Sequence, residues 1–194
     1  CQQYKLDPSL PLMSFIGRFA IEKGADLLAE IIDQLLGKVK AKMSIFILGS
    51  GDQDIQAALQ QMMEKYPQQF AVYFGYNESL AHQVYAATDL LLMPSRVEPC
   101  GLNQLYALQY GTIPVVRGIG GLKDTVIDME EPNGYGIVFP EASVVDASEG
   151  AVRALEIIAQ ADLLSEIRDK EMNLDFSWHK SAQKYLDLYT KLLN

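Results

Sequence analysis

The sequence predicts an α/β fold built on a doubly wound parallel sheet. Three observations lead there. Short, wholly apolar runs recur along the chain. Stretches with helical spacing of apolar residues separate them. Gly, Pro, Asn or Asp stands at most of the junctions. Strands that are apolar on both faces and divided by helices belong to a parallel sheet covered on each side. Right-handed crossovers then wind it in both directions.

Each element follows in order. Leu12–Ile16 reads as a buried strand ending at Gly17. Ala25–Leu36 carries apolar residues at 27, 28, 31, 32, 35 and 36, one helical face, with Gly37 placed to end it. Met43–Leu48 is a second strand, closed by a turn at Gly49-Ser50-Gly51. Asp52 is placed to cap a helix that runs to about Tyr66, where Pro67 stops it. Phe70–Phe74 is a strand, Gly75-Tyr76-Asn77 a turn, and Asn77 the cap of a helix through Ala87. Leu90–Met93 is a strand ended by Pro94, followed by a polar loop and a helix from about Gly101 to Tyr110. Ile113–Val116 is the next strand, with a turn at Gly118–Gly121, and Tyr135–Phe139 the last. The tail reads as helix over 146–172 and again over 177–193. In that last helix Trp178, Ala182, Tyr185, Leu186, Tyr189 and Leu192 form one stripe.

Composition narrows the function classes. Over 194 residues, 16 Lys+Arg against 25 Asp+Glu give a net charge of −9, so nucleic acid is repelled on average. The longest apolar run, Phe70–Phe74, is far short of the roughly 20 residues that span a bilayer, so no membrane partner is expected. The two cysteines, Cys1 and Cys100, make no metal or disulfide spacing, which reads as a reduced, cytoplasmic chain. The chain starts at Cys1, and the apolar pattern starts at Leu12 after Pro8 and Pro11. Residues 1–11 therefore read as a linker remnant of a longer protein.

Open α/β sheets bind ligands beyond the carboxyl ends of their strands. Gly17–Gly24 places two cations, Arg18 and Lys23, in one such loop between glycines. A planar fork and a point charge suit a diphosphate; a solvated loop with two surface cations explains them equally. Gly49-Ser50-Gly51-Asp52 lacks the third glycine of a dinucleotide fingerprint and follows the second strand, which disfavours a nicotinamide cofactor. Asp52 and Asp54 are better explained as helix caps than as metal ligands. Tyr76 is placed either to stack on a nucleobase or to pack at the sheet edge. In Pro94–Gln104, Glu98 lies between prolines that restrict the backbone. Its carboxylate either accepts sugar hydroxyls or answers the helix dipole, and the N–H groups of Cys100, Gly101 and Leu102 face the same space. Cys100 is a poor candidate nucleophile, because only His82 and His179 exist to activate it and neither is placed as a base.

Five segments together resemble a known family. They are Phe15–Arg18 with Lys23-Gly24; Gly75-Tyr76; Pro94–Tyr106; Gly111–Val116; and Gly120–Val126. Asp175-Phe176-Ser177-Trp178 adds a sixth. In this order they are similar to bacterial glycogen synthases and plant starch synthases. The Pro-Ser-Arg-x-Glu-Pro-Cys-Gly-Leu-x-Gln-Leu-Tyr run is the most specific of them, and Tyr106 stands where wider relatives carry a second Glu.

The resemblance implies transfer of glucose from ADP-glucose to the non-reducing end of an α-1,4-glucan with retention of configuration. It implies a GT-B fold of two Rossmann-like halves, of which this chain is the C-terminal, nucleotide-sugar-binding one. On that reading 12–176 forms the domain, and the 177–194 helix packs toward an N-terminal half. That half and its Lys-x-Gly-Gly motif are absent from this sequence, so the chain by itself is expected not to turn over. Arg18 and Lys23 would neutralise the diphosphate, Glu98 would hold glucose hydroxyls, and Tyr76 would lie against the adenine. Gly17, Gly75, Cys100, Gly101, Leu102, Asn103, Gly120, Gly121 and Leu122 would line the donor. Losing either cation would cost about 2–4 kcal/mol of barrier, the scale of one preorganised electrostatic partner. No cofactor or metal is implied. Rival readings are a transferase using a UDP- or GDP-sugar, a non-catalytic nucleotide-binding module, and a sugar-nucleotide epimerase.

Overall fold

The computed structural model describes residues 2–193. Cys1, one of the two cysteines weighed above, and Asn194, the end of the expected tail helix, lie outside them. Among the described residues six strands form one parallel sheet: β1 (Leu12–Phe19), β2 (Ser44–Gly51), β3 (Phe70–Phe74), β4 (Leu90–Met93), β5 (Ile113–Arg117) and β6 (Ile137–Phe139). Their order across the sheet is β3-β2-β1-β4-β5-β6. The direction of winding reverses between β1 and β4, so the crevice at their carboxyl ends is the expected ligand position.

Alternation along the strands divides the core. Ile45, Ile47, Leu90 and Leu92 face one helical layer, which includes α1 (Leu28–Ile32), α2 (Gln53–Lys65) and α6 (Val144–Ile158). Leu91, Met93 and Val116 face the other, with Tyr85 of α3 (Glu78–Ala87), Ala107 of α4 (Asn103–Gln109) and Leu122 of α5 (Gly120–Thr125). The expected caps form. Asp52 accepts from the N–H groups of Asp54 (2.8 Å) and Ile55 (3.2 Å), and Asn77 accepts from that of Leu80 (2.9 Å).

Several boundaries differ from the sequence reading, each for a tertiary reason. β1 does not stop at Gly17. It pairs on through Arg18↔Ser50 and Phe19↔Gly51, because Phe19 is buried in the core and carries the strand with it. Gly49-Ser50-Gly51 is correspondingly strand and not turn. The helix expected over 25–36 opens as a 3₁₀ turn (Ala25–Leu27) and ends as a π turn (Asp33–Val39) beyond Gly37. Asp33 at its head accepts from Lys65 and Tyr66, which ties it to α2. Gly120-Gly121 opens α5 instead of forming a turn. The 146–172 helix is two, α6 and α7 (Ala161–Met172), and β6 is limited to its three paired residues.

The segment read as a linker is packed. Leu6 is buried against Leu12, Phe46 and Val84, and the Tyr4 ring lies 4.6 Å from that of Phe46. The last helix, α8 (Trp178–Leu193), is the opposite case. None of its described residues is buried, and Trp178 is 89% exposed.

Candidate nucleotide-sugar site

Beyond the ends of β1 and β4 lies a cavity of about 340 Å³. Phe15, Ile16, Gly17 and Arg18 of β1 form one wall, and Met93, Ser95 and Glu98 the other, with Gly101, Leu102 and Asn103 at the head of α4 and Lys23 from the β1–α1 segment. A second cavity of about 250 Å³ adjoins it over β2 and β3. It shares Ile16, Gly17, Arg18 and Asn103 and adds Gly75, Tyr76 and Asn77.

Strand geometry aims Arg18. Successive side chains on a strand alternate, so Phe19 turns into the core while Arg18 stands over both cavities with its side chain 70% exposed. Among the described residues it pairs with Glu22 alone, at 2.9 Å. Tyr76 is open too, 83% exposed at the rim of the second cavity. Neither residue is spent on packing.

Lys23 and Glu98 are instead engaged with each other. The ammonium donates to both Glu98 oxygens at 2.7 Å, and the Ser95 hydroxyl donates to Oε2 at 3.1 Å. Glu98 is 7% exposed and Lys23 26%. The alternative reading of Glu98, as an answer to a helix dipole, does not describe this arrangement: its carboxylate is held by an ammonium and a hydroxyl. Gly24 makes the pairing possible, since its φ of +66° turns the chain and a Cβ there would overlap the Pro94 carbonyl. Asn103 donates to the Ile16 carbonyl at 2.6 Å, fixing the head of α4 to β1.

Gly17, Arg18, Lys23, Glu98, Gly101, Leu102 and Asn103 thus meet in one cavity, and Gly75 and Tyr76 in the next. Four expected residues do not line either. Cys100 is exposed but outside both walls. Leu122 is fully buried in the core, and its N–H is taken by the Ile119 carbonyl. Gly121 spends its N–H on the Glu98 carbonyl at 3.0 Å, and a Cβ on Gly120 or Gly121 would overlap the carbonyl of Glu98 or Cys100. These glycines let α5 press on the loop from behind. Gly121→Ala is therefore expected to destabilise the chain by at least ~2 kcal/mol through overpacking, read as a lowered urea midpoint.

Ser95 was missed by reading residues singly. Its position inside the Pro94–Glu98 loop was the available signal. Asp26 and Arg96, which join the two loops, carried no signal of pairing, being far apart in sequence.

A crevice where the strand order reverses is the general ligand position of open α/β sheets and does not by itself define a family. The family model described as glycosyl transferases group 1 matches residues 2–168. The chain belongs to that family. This glycosyltransferase domain is 45% identical over 193 residues to glycogen synthase from Flavobacterium johnsoniae, covering 100% of the chain and 41% of that protein. It is 45% identical over 189 residues to glycogen synthase from Rhodospirillum rubrum, covering 96% of the chain and 38% of that protein. The domain thus spans about two fifths of the length of these curated relatives. Among solved structures, the catalytic domain of starch synthase IV from Arabidopsis thaliana, bound to ADP and acarbose, is similar with a TM-score of 0.86. It is 30% identical, with 98% of this chain and 40% of that one covered. The fold is the Rossmann-like unit of GT-B glycosyltransferases. Among the described residues no helix is long and apolar enough to cross a membrane.

Proposed function

We propose that this domain is the nucleotide-sugar-binding half of a retaining glucosyltransferase that moves glucose from ADP-glucose to the non-reducing end of an α-1,4-glucan. The observation that carries it is the cavity at the β1/β4 crevice, where an open Arg18 and the Lys23–Glu98 pair converge beside an exposed Tyr76. The similarity to two glycogen synthases, and to a starch synthase solved with ADP and acarbose, supports the donor and acceptor classes.

The chemistry follows from the donor inventory. An ammonium has three N–H groups. Glu98 takes two of those on Lys23, leaving the third for a phosphate oxygen. The Glu98 oxygens keep lone pairs for sugar hydroxyls. Arg18 brings a guanidinium whose ion pair with Glu22 is solvent-exposed and readily exchanged for a diphosphate. Glycosyl transfer runs through oxocarbenium-like charge while negative charge grows on the leaving diphosphate. Two positioned cations stabilise that state more than the ground state. Tyr76 offers a face for the adenine. Gly17, Gly75, Gly101, Leu102 and Asn103 shape the walls around the donor. The exposed apolar stripe of α8 packs, on this reading, against the half of the enzyme that holds the glucan.

Calorimetric titration with ADP, with UDP and NAD as comparisons, tests the reading. Saturable ADP binding that weakens at least tenfold in Arg18→Ala is expected. A preference for UDP would replace the donor assignment. Failure to bind ADP at millimolar concentration, together with no glucose transfer from ADP-glucose by a longer polypeptide carrying both halves, would overturn it. The anomeric configuration of the product, read by NMR, tests retention.

A further inference from the structure

Lys23 and Glu98 lie 75 residues apart, in the segments that follow β1 and β4, yet both Glu98 oxygens sit at 2.7 Å from one nitrogen. Two loops that met only through this pair would not hold such a geometry, because long side chains pay rotamer entropy for any fixed contact. A second set of contacts ties the same loops together, and it centres on Arg96. Its guanidinium grips Asp26 as a fork, with 2.6 Å to Oδ1 and 2.9 Å to Oδ2, and donates to the Ile21 carbonyl at 2.8 Å. The backbone N–H groups of Arg96 and Val97 both donate to the Glu22 carbonyl, at 2.8 and 3.0 Å. From β5, Arg117 donates to the Arg96 carbonyl at 3.2 Å. The attachment points Ile21, Glu22 and Asp26 bracket Lys23, and Glu98 follows Arg96 by two residues. Arg96 is not part of the cavity wall.

We propose that Arg96 is a positioning residue that straps the Lys23 turn to the Glu98 loop and so sets the charge pair in the cavity. A lysine cannot replace it. A single ammonium at that site would have to span both Asp26 oxygens and the Ile21 carbonyl, which a planar five-donor fork does without reorganisation. The proposal concerns the geometry of the pair; only its consequence for ligand affinity rests on the function proposed above.

The test needs no donor in its first arm. A double-mutant cycle of Lys23→Ala and Glu98→Gln, read by urea unfolding, measures the coupling of the pair as a ratio of folding constants. A coupling of at least tenfold is expected with Arg96 in place. It should fall below threefold in the Arg96→Ala background and stay low in Arg96→Lys. Arg153→Ala is the control. It breaks the ion pairs with Asp128 and Glu130, outside the cavity walls, and should leave the coupling intact. Full coupling in the Arg96→Ala background overturns the proposal. If Arg96→Ala does not fold, Asp26→Asn decides in its place: an unchanged coupling overturns, a reduced one supports. In the second arm, Arg96→Ala should weaken ADP at least fivefold while Arg153→Ala does not. Unchanged ADP affinity in Arg96→Ala overturns the positioning role. Absence of ADP binding in the unmodified chain counts against the proposed function instead, and the coupling cycle still decides on Arg96.

Discussion

Lys23→Ala is expected to lower stability by about 3 kcal/mol, the scale on which removing one partner strands a buried charge, and to abolish ADP binding in the same chain. The stranded group is Glu98, which is nearly buried and would keep only the Ser95 hydroxyl. Adding Glu98→Gln should recover most of the stability, because a neutral amide does not need a cation beside it, but should not recover binding. That split separates two roles in one side chain: Lys23 neutralises its neighbour in the empty site and, as proposed, a phosphate in the occupied one. Glu98→Gln by itself should be milder, about 1 kcal/mol, since Lys23 can reach water in the cavity. Urea unfolding and calorimetry on the three variants check it. Equal loss of stability in Lys23→Ala and in the double variant would contradict the pairing.

Glu171→Met is expected to stabilise the chain at neutral pH by on the order of 3 kcal/mol and to remove a pH dependence. Glu171 on α7 is fully buried, and neither carboxyl oxygen has a hydrogen-bond partner among the described residues. Burial pushes its pKa up to about 9 from an ordinary 4.5, and Arg168 only partly opposes this. The folded chain therefore keeps the proton that the unfolded chain releases. The sign follows: stability associated with this group is complete below pH 4.5 and is lost as pH rises toward 9. Between 4.5 and pH 7 that is roughly 2.5 units at about 1.4 kcal/mol each, hence the magnitude. Methionine fills a similar unbranched volume without a polar atom to bury. Unfolding free energies from pH 5 to 8.5 should decline in the parent and lose that slope in the variant. A parallel decline in both would show that Glu171 is not the group responsible.

Much of the fold was legible because local and global signals agree. Apolar runs on both sides of each strand demand two covering layers, and Asp52 and Asn77 start their helices as their short acceptor side chains require. Three of the boundaries that differ share one cause. At Gly17, Gly49 and Gly120 the residue type suggests a break, yet strand pairing or close backbone packing carries the element through. A glycine marks either a turn or a close approach, and only the neighbouring segment decides between them. The partition of the site has the same origin. Arg18, Lys23, Glu98 and Tyr76 stand at strand ends, where a parallel sheet sends its loops to one edge. Cys100 stands in such a loop but outside the cavity walls, Gly120 and Gly121 at the head of α5 press on that loop from behind, and Leu122 is buried in the core.

The sequence alone thus determined the parallel doubly wound sheet, the edge at which its chemistry gathers and the residue types present there, because periodicity, capping and strand direction are local properties. The tertiary structure decided which of those residues share a cavity, that Lys23 and Glu98 neutralise each other, that Arg96 joins their loops, and that Glu171 is buried without a partner. Those depend on contacts between segments far apart in the chain, and such contacts are set by packing the whole core.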